Sequence, residues 1–211
     1  MKNEKLKYMF VFSFVLFTNI HSQGYSLNAD LTFNTSNKIY SDYTGFSLGF
    51  NFPFVYEDLY IEPYIKIFKT EINFNSDQIP ENSFNRGLTF GAKVNYFPTE
   101  IFYIETIKYQ PYMGFGFGYQ LNFISETSNF PIDLNNEIFF NELEKDFVTD
   151  LFAGIVFTPK PGFLQLSAEF TYQLRNPVLS YHSDAAGENI FHRRKVNLNA
   201  LLGSIGIRVI F

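Results

Sequence analysis

The sequence predicts an all-β protein built as a single antiparallel, up-and-down transmembrane β-barrel of eight strands. Three observations predict it. The first is residues 111–123, PYMGFGFGYQLNF, where Pro111, Met113, Phe115, Phe117, Tyr119, Leu121 and Phe123 share one parity and Tyr112, Gly114, Gly116, Gly118, Gln120 and Asn122 the other. Strand side chains alternate faces, so one face is apolar and aromatic and the other small or polar. Alternating glycines weaken a strand, and they suit a face that looks into a narrow lumen while the rings look into lipid. The second observation is that seven further segments repeat this alternation. The third is that the connections between segments alternate between short and long, as they do in barrels with short turns on one side of a membrane and long loops on the other. At about 3.3 Å per residue and a tilt near 45°, thirteen residues climb roughly 30 Å, a membrane crossing.

The chain is 211 residues long, with 28 phenylalanines and 20% aromatics, a load suited to one domain with a lipid-facing surface. Whole-chain hydropathy does not reveal such a protein, because alternation averages out. There is no cysteine, which excludes a disulfide framework, a thiol nucleophile and a thiolate metal site.

Residues 1–22 read as an export signal: Lys2, Lys5 and Lys7 precede an apolar run of about ten residues, and Ser22 is a small residue at a cleavage point. The run is too short for a helical span, which needs roughly 20 residues. Residues 23–211 are then the barrel. Loss of three lysines and one glutamate takes the formal charge from −5 to about −7, which argues against nucleic acid as a partner.

Residues 25–33 form the first segment, with Leu27, Ala29 and Leu31 outward. In the second, Phe46, Leu48, Phe50 and Phe52 oppose Ser47, Gly49 and Asn51, and residues 53–58 turn the chain. The third, 59–68, shows Ile61, Pro63, Ile65 and Ile67 to lipid; Pro63 lacks an N–H and needs a bulge or an unpaired position. Residues 70–86 are a polar loop. The fourth segment, 88–96, places Thr89, Gly91, Lys93 and Asn95 inward, and residues 97–109 link it to the fifth, 111–123. A polar loop, 124–146, leads to the sixth, 147–157, with Leu151, Ala153, Ile155 and Phe157 outward. Pro159-Lys160-Pro161-Gly162 is a tight-turn signal. The seventh, LQLSAEFTYQL at 164–174, alternates throughout, and a loop, 175–194, leads to the last. That strand ends with Ile205, Ile207, Val209 and Phe211 on one parity, opposite to Val196 and Leu198, so either a bulge lies near Leu201 and Leu202 or the upstream part projects beyond the membrane. Rings gather at segment ends as two girdles, Tyr25, Phe52, Tyr96, Phe157, Phe163 and Phe211 on the turn side, and Phe33, Phe68, Phe123 and Tyr172 on the loop side. A soluble lipocalin-type barrel would instead turn its apolar face inward and carry more Lys and Glu outside.

PYMGFGFGY (111–119), LQLSAEFTYQL (164–174) and the terminal IGIRVIF (205–211) together resemble small bacterial outer-membrane β-barrels of the OmpA/OmpX-like kind, over nearly all of residues 23–211. The resemblance implies an outer-membrane location with both termini periplasmic, a monomer, and a last strand ending in Phe211 that is read by the barrel-insertion machinery. It says little about activity.

Seven charged residues fall on inward parity: Asp30, Glu62, Lys66, Lys93, Asp150, Glu169 and Arg208. Eight strands leave room only for side chains, so these are expected to plug the lumen as paired charges; the sharper alternative is a narrow conduit for protons or small ions. His182, Ser183 and Glu188 invite comparison with barrel lipid A deacylases, but His and Ser there stand two apart, and here they are adjacent. His182 and His192 show no metal-ligand spacing, and neither a metal nor a cofactor is expected. The loop 124–150 is acidic, while 192–195 reads HRRK; Arg193, Arg194 and Lys195 are either solvated loop charges or contacts to lipopolysaccharide phosphates. The expected function is therefore non-enzymatic: an outer-membrane barrel serving envelope integrity, surface interaction or adhesion through three long loops. A porin-like or hydrophobic-solute transport barrel is the alternative, and a lipid A-modifying hydrolase a third.

Overall fold

A computed structural model describes residues 25–35, 40–53, 58–72, 83–98, 102–104, 107–126, 136–160, 162–185 and 188–211. The signal segment expected at 1–22 lies outside them. The described strands are β1 (Ser26–Asn34), β2 (Tyr40–Pro53), β3 (Leu59–Ile72), β4 (Ser83–Tyr96), β5 (Phe102–Ile104), β6 (Ile107–Glu126), β7 (Asn136–Leu143), β8 (Asp146–Thr158), β9 (Leu164–Leu174), β10 (Val178–Ala185), β11 (Glu188–Lys195) and β12 (Ala200–Ile210).

Eight of these close into an antiparallel meander, ordered β4-β3-β2-β1-β12-β9-β8-β6, with β4 pairing β6 to shut the ring. The seam between the ends of the chain is continuous, running from Ser26 opposite Ile210 to Asn34 opposite Leu202. Closure removes every free edge within the ring.

The assignment of faces follows the alternation. Phe115 and Phe117 are exposed, Phe117 at 60%, while Gly116 and Gly118 beside them are buried. Leu27, Leu48, Ile65, Phe90, Leu151, Leu166, Phe170, Ile205 and Ile207 are likewise exposed around the ring. A continuous apolar belt of this kind is foreign to a monomer in water. In β8, Phe152 and Val156 are buried and Leu151 and Ala153 exposed, and in β3 Glu62 and Tyr64 are buried and Pro63 and Ile65 exposed, the phases expected. The β2–β3 pairing skips from Gly49–Tyr64 to Phe52–Ile61 without a change of register, where Pro63 has no N–H to give.

The structure corrects the sequence reading in three places and, in a fourth, decides between two alternatives. Phe68 does not join a lipid-facing girdle: it is buried inside, opposite Gly45 on β2 and Gly87 on β4, and the missing side chain of Gly87 leaves room for its ring. The strands run past the expected loop boundary at 70–86, pairing out to Ile72 opposite Ser83. The two loops expected at 124–146 and 175–194 contain strands, because β7 of one and β10 and β11 of the other form a three-stranded antiparallel sheet. Finally, β12 keeps one parity from Leu201 to Ile210 without a bulge; Leu198 lies before it, fully buried, its N–H bonded to the carbonyl of Arg175 at 3.0 Å. At the turn between β8 and β9, Gly162 has φ +100°, a conformation L-residues resist.

Candidate functional site: the barrel interior

Inward positions of the eight ring strands carry the charged residues singled out from the sequence, and they do not form a single network. The middle of the barrel is crossed by one ion pair, Lys93 Nζ to Glu169 Oε1 at 2.9 Å, between β4 and β9. Glu169 is satisfied on both oxygens. Thr171 Oγ1 donates to Oε1 at 2.9 Å and Tyr112 Oη donates to Oε2 at 2.9 Å. The Lys93 ammonium also lies 4.9 Å from the Phe152 ring and 5.9 Å from that of Tyr64. A buried carboxylate is tolerable on these terms, with a cation and hydroxyl donors replacing water.

The other five are held differently. Glu62 accepts from Asn95 Nδ2 at 2.9 Å, and the same amide reaches Asn51 Oδ1 at 2.9 Å. Asp150 accepts from Gln173 Nε2 at 3.3 Å, and Asp30 from Ser167 Oγ at 3.5 Å. Lys66 lies 5.1 Å from the Tyr43 ring, which stacks on Phe68 with centroids 5.7 Å apart and planes 2° from parallel. Arg208 sits over Tyr112 at 4.8 Å and Phe97 at 5.6 Å. Phe97, Tyr112, Phe152 and Val156 make a buried apolar cluster below the ion pair, on the turn side.

Bulky rings fit inside because glycines face them. Tyr64 stands opposite Gly49 and Gly91, Tyr112 opposite Gly154, and Phe152 opposite Gly114. The space beside the alternating glycines of β6 is taken by neighbouring side chains, Phe152 at Gly114, Lys93 at Gly116, and Thr89 and Tyr64 at Gly118.

Sequence reasoning missed a charged pair joined by two hydrogen bonds. Arg175, fully buried, bonds Asp146 through Nε to Oδ2 and Nη2 to Oδ1, both at 3.1 Å, and bonds Asn122 Oδ1 at 3.1 Å. Asn122 Nδ2 donates back to Asp146 Oδ1 at 3.2 Å. Planar guanidinium against planar carboxylate is the strong geometry for such a pair. The signal was present: Gln165, Ser167, Glu169, Thr171 and Gln173 extend in parity to Arg175, and Asp150 and Val148 to Asp146. Both residues fell in stretches read as loop.

On the three-stranded sheet, Arg193 pairs with Glu144, whose Oε1 also accepts from Ser180 Oγ at 3.2 Å. Arg194 and Lys195 are exposed. As consecutive strand positions, Arg193, Arg194 and Lys195 do not share one face. His182 and Ser183 occupy consecutive positions of β10, opposite Phe191 and Ile190 of β11. Among the described residues, no group of three His, Asp or Glu side chains is placed to hold a metal.

No family model matches the chain, and no curated protein does. Among solved structures it is similar to Neisserial surface protein A, at 14% identity over 89% of this chain and 96% of that one, with a TM-score of 0.51. It is also similar to a major outer membrane protein from Thermus thermophilus (11% identity, 90% and 100% covered, TM-score 0.45) and to Ail, the attachment invasion locus protein of Yersinia pestis (13%, 89% and 97%, TM-score 0.37). At such identities the likeness is one of fold, and the first of the three carries it. The chain has the closed eight-stranded fold of a small outer-membrane β-barrel.

Proposed function

We propose that the chain is a monomeric integral protein of the bacterial outer membrane, with both termini periplasmic and no enzymatic activity. Its interior is closed to bulk flow, and its loop-side sheet serves surface interaction, adhesion or envelope integrity. The observation that carries this reading is the crossing of the lumen by Lys93, Glu169 and Tyr112, joined at 2.9 Å and backed by the rings of Phe152 and Phe97. A chain built to pass solutes gains nothing from filling its bore with a satisfied ion pair and stacked rings. The test is conductance in planar bilayers: the refolded chain is expected to give no sustained ohmic steps above background. A steady open level at neutral pH would favour the porin-like alternative instead.

The outer surface supports the same reading. The three-stranded sheet gives the long connections a fixed shape, with exposed Ile190, Phe191, Arg194 and Lys195 on β11. Arg193 is engaged by Glu144, so contact with lipopolysaccharide phosphates falls first to Arg194 and Lys195. Changing both to alanine is expected to weaken co-sedimentation with lipopolysaccharide severalfold at low salt; unchanged binding would return them to the role of solvated loop charges. At the other end, Phe211 is 72% exposed, with its N–H bonded to the carbonyl of Tyr25 at 2.9 Å, available to the insertion machinery before the seam closes.

A further inference from the structure

Among the described residues four strong bases face the barrel interior, Lys66, Lys93, Arg175 and Arg208, and two of them have ion-pair partners. Lys93 has Glu169, and Arg175 has Asp146. Arg208 is different. It is 4% exposed, and its Nε is buried without a hydrogen bond. No carboxylate lies within 4.0 Å of its guanidinium among the described residues; Glu62 and Glu169 are bonded to Asn95 and to Lys93. Its contacts are the ring faces of Tyr112 and Phe97, which hold the guanidinium by its π surface and do not use its N–H donors. Leaving buried donors unmade costs about 1–3 kcal/mol, and more for a charged group. Such a group calls for a hydrogen-bonding partner, and among the described residues none reaches its Nε.

The space beside it is suited to one. Arg208 lines a cavity of about 220 Å³ at the turn-side mouth, the end that carries both chain ends. Ser26, Asn51, Gln110 and Gln165 supply hydroxyl and amide groups to its wall, and Lys108 supplies a second cation. Asp58 is the one acid in that lining, so the wall remains net positive. At roughly 30 Å³ per water the volume corresponds to about seven waters, room for a small solute. Water alone can meet the N–H groups, but only an anion meets both donors and charge, and the guanidinium fork is matched to paired oxygens.

We propose that this turn-side cavity binds a small oxyanion, a carboxylate or a phosphate, with its oxygens on Arg208 and with Lys108, Gln110 and Gln165 completing the cradle. The lining residues of this site are not those of the Lys93–Glu169 ion pair, so binding here can be tested apart from conduction. A ligand at this position would stabilise the turn-side cluster of Phe97 and Tyr112 and report on solutes at that face of the membrane.

The test uses the full chain refolded in micelles or nanodiscs, titrated calorimetrically with inorganic phosphate and, separately, with succinate at constant ionic strength. Saturable binding of at least one is expected, and the two arms tell phosphate from carboxylate preference. Arg208→Met is expected to weaken it by about tenfold or more, which is about 1.4 kcal/mol. Lys108→Met should weaken it about threefold, and Arg193→Met, at the opposite mouth, should leave it unchanged. If Arg208→Met fails to give the heat-modifiable folded band, Gln110→Phe takes its place: it keeps Arg208, fills the cavity, and must abolish binding. Absence of saturable binding by folded wild-type chain, an affinity within twofold in folded Arg208→Met, or retained binding in Gln110→Phe each overturns the proposal.

Discussion

Replacing Lys93 by methionine is expected to lower the unfolding free energy by about 3–5 kcal/mol, the usual consequence of removing one partner of a buried ion pair. Methionine keeps most of the stem that packs near Phe152 and Tyr64, so the change isolates the ammonium. What remains is Glu169, a buried carboxylate with two hydroxyl donors and no cation. The double variant Lys93→Met/Glu169→Gln should recover most of the loss, because glutamine stays an acceptor for Tyr112 and Thr171 while carrying no charge. Denaturant titration in lipid vesicles, followed by far-UV circular dichroism and by the heat-modifiable gel band, measures both. A single variant within 1 kcal/mol of wild type would mean that water reaches Glu169, and the closed lumen on which the proposed function rests would be lost with it.

The period-two pattern was legible because the two faces of each strand meet opposite solvents. Hydrocarbon selects Phe115, Phe117 and Ile205, a crowded interior selects Gly116, Gly118 and Ser204, and no packing accident blurs that contrast. Ring closure and strand number followed from it. A rule that sends every ring at a strand end to lipid misplaces Phe68. The parity of its own strand, with Ile65 and Ile67 outward, already puts it inside, and Gly87 on β4 makes the space. The loop-side sheet was not legible: β7 and β10 lie more than thirty residues apart in the chain and meet only once the barrel has brought their ends together. The charged interior was legible as a set of residues but not as a set of pairs. Parity says that Arg208 and Lys93 both point inward; only register, at one or two residues' resolution, decides that Lys93 finds Glu169 and Arg208 finds aromatic faces.

Gly91→Val is expected to abolish the folded barrel, with loss of the heat-modifiable band. A Cβ at this position would lie 2.5 Å from the carbonyl oxygen of Phe117 on β6 and 2.7 Å from two atoms of the Tyr64 ring on β3. The carbonyl belongs to the β4–β6 pairing that closes the ring, and the Tyr64 side chain lies across Gly91 and Gly118, so neither neighbour can withdraw easily. Valine has a better strand propensity than glycine, but that preference spans only about 1 kcal/mol and cannot offset a clash against backbone. Gly116→Ala provides the contrast within the same lumen. There the added carbon would sit 3.2 Å from Lys93 Cγ and 3.4 Å from the Ala92 carbonyl, contacts that a flexible side chain can relieve. That variant should refold within about 1–2 kcal/mol of wild type. If Gly91→Val refolded as readily as Gly116→Ala, the interior would be loose enough for its glycines to be incidental. The filling of the bore by neighbouring rings would then no longer explain why glycine recurs on this face.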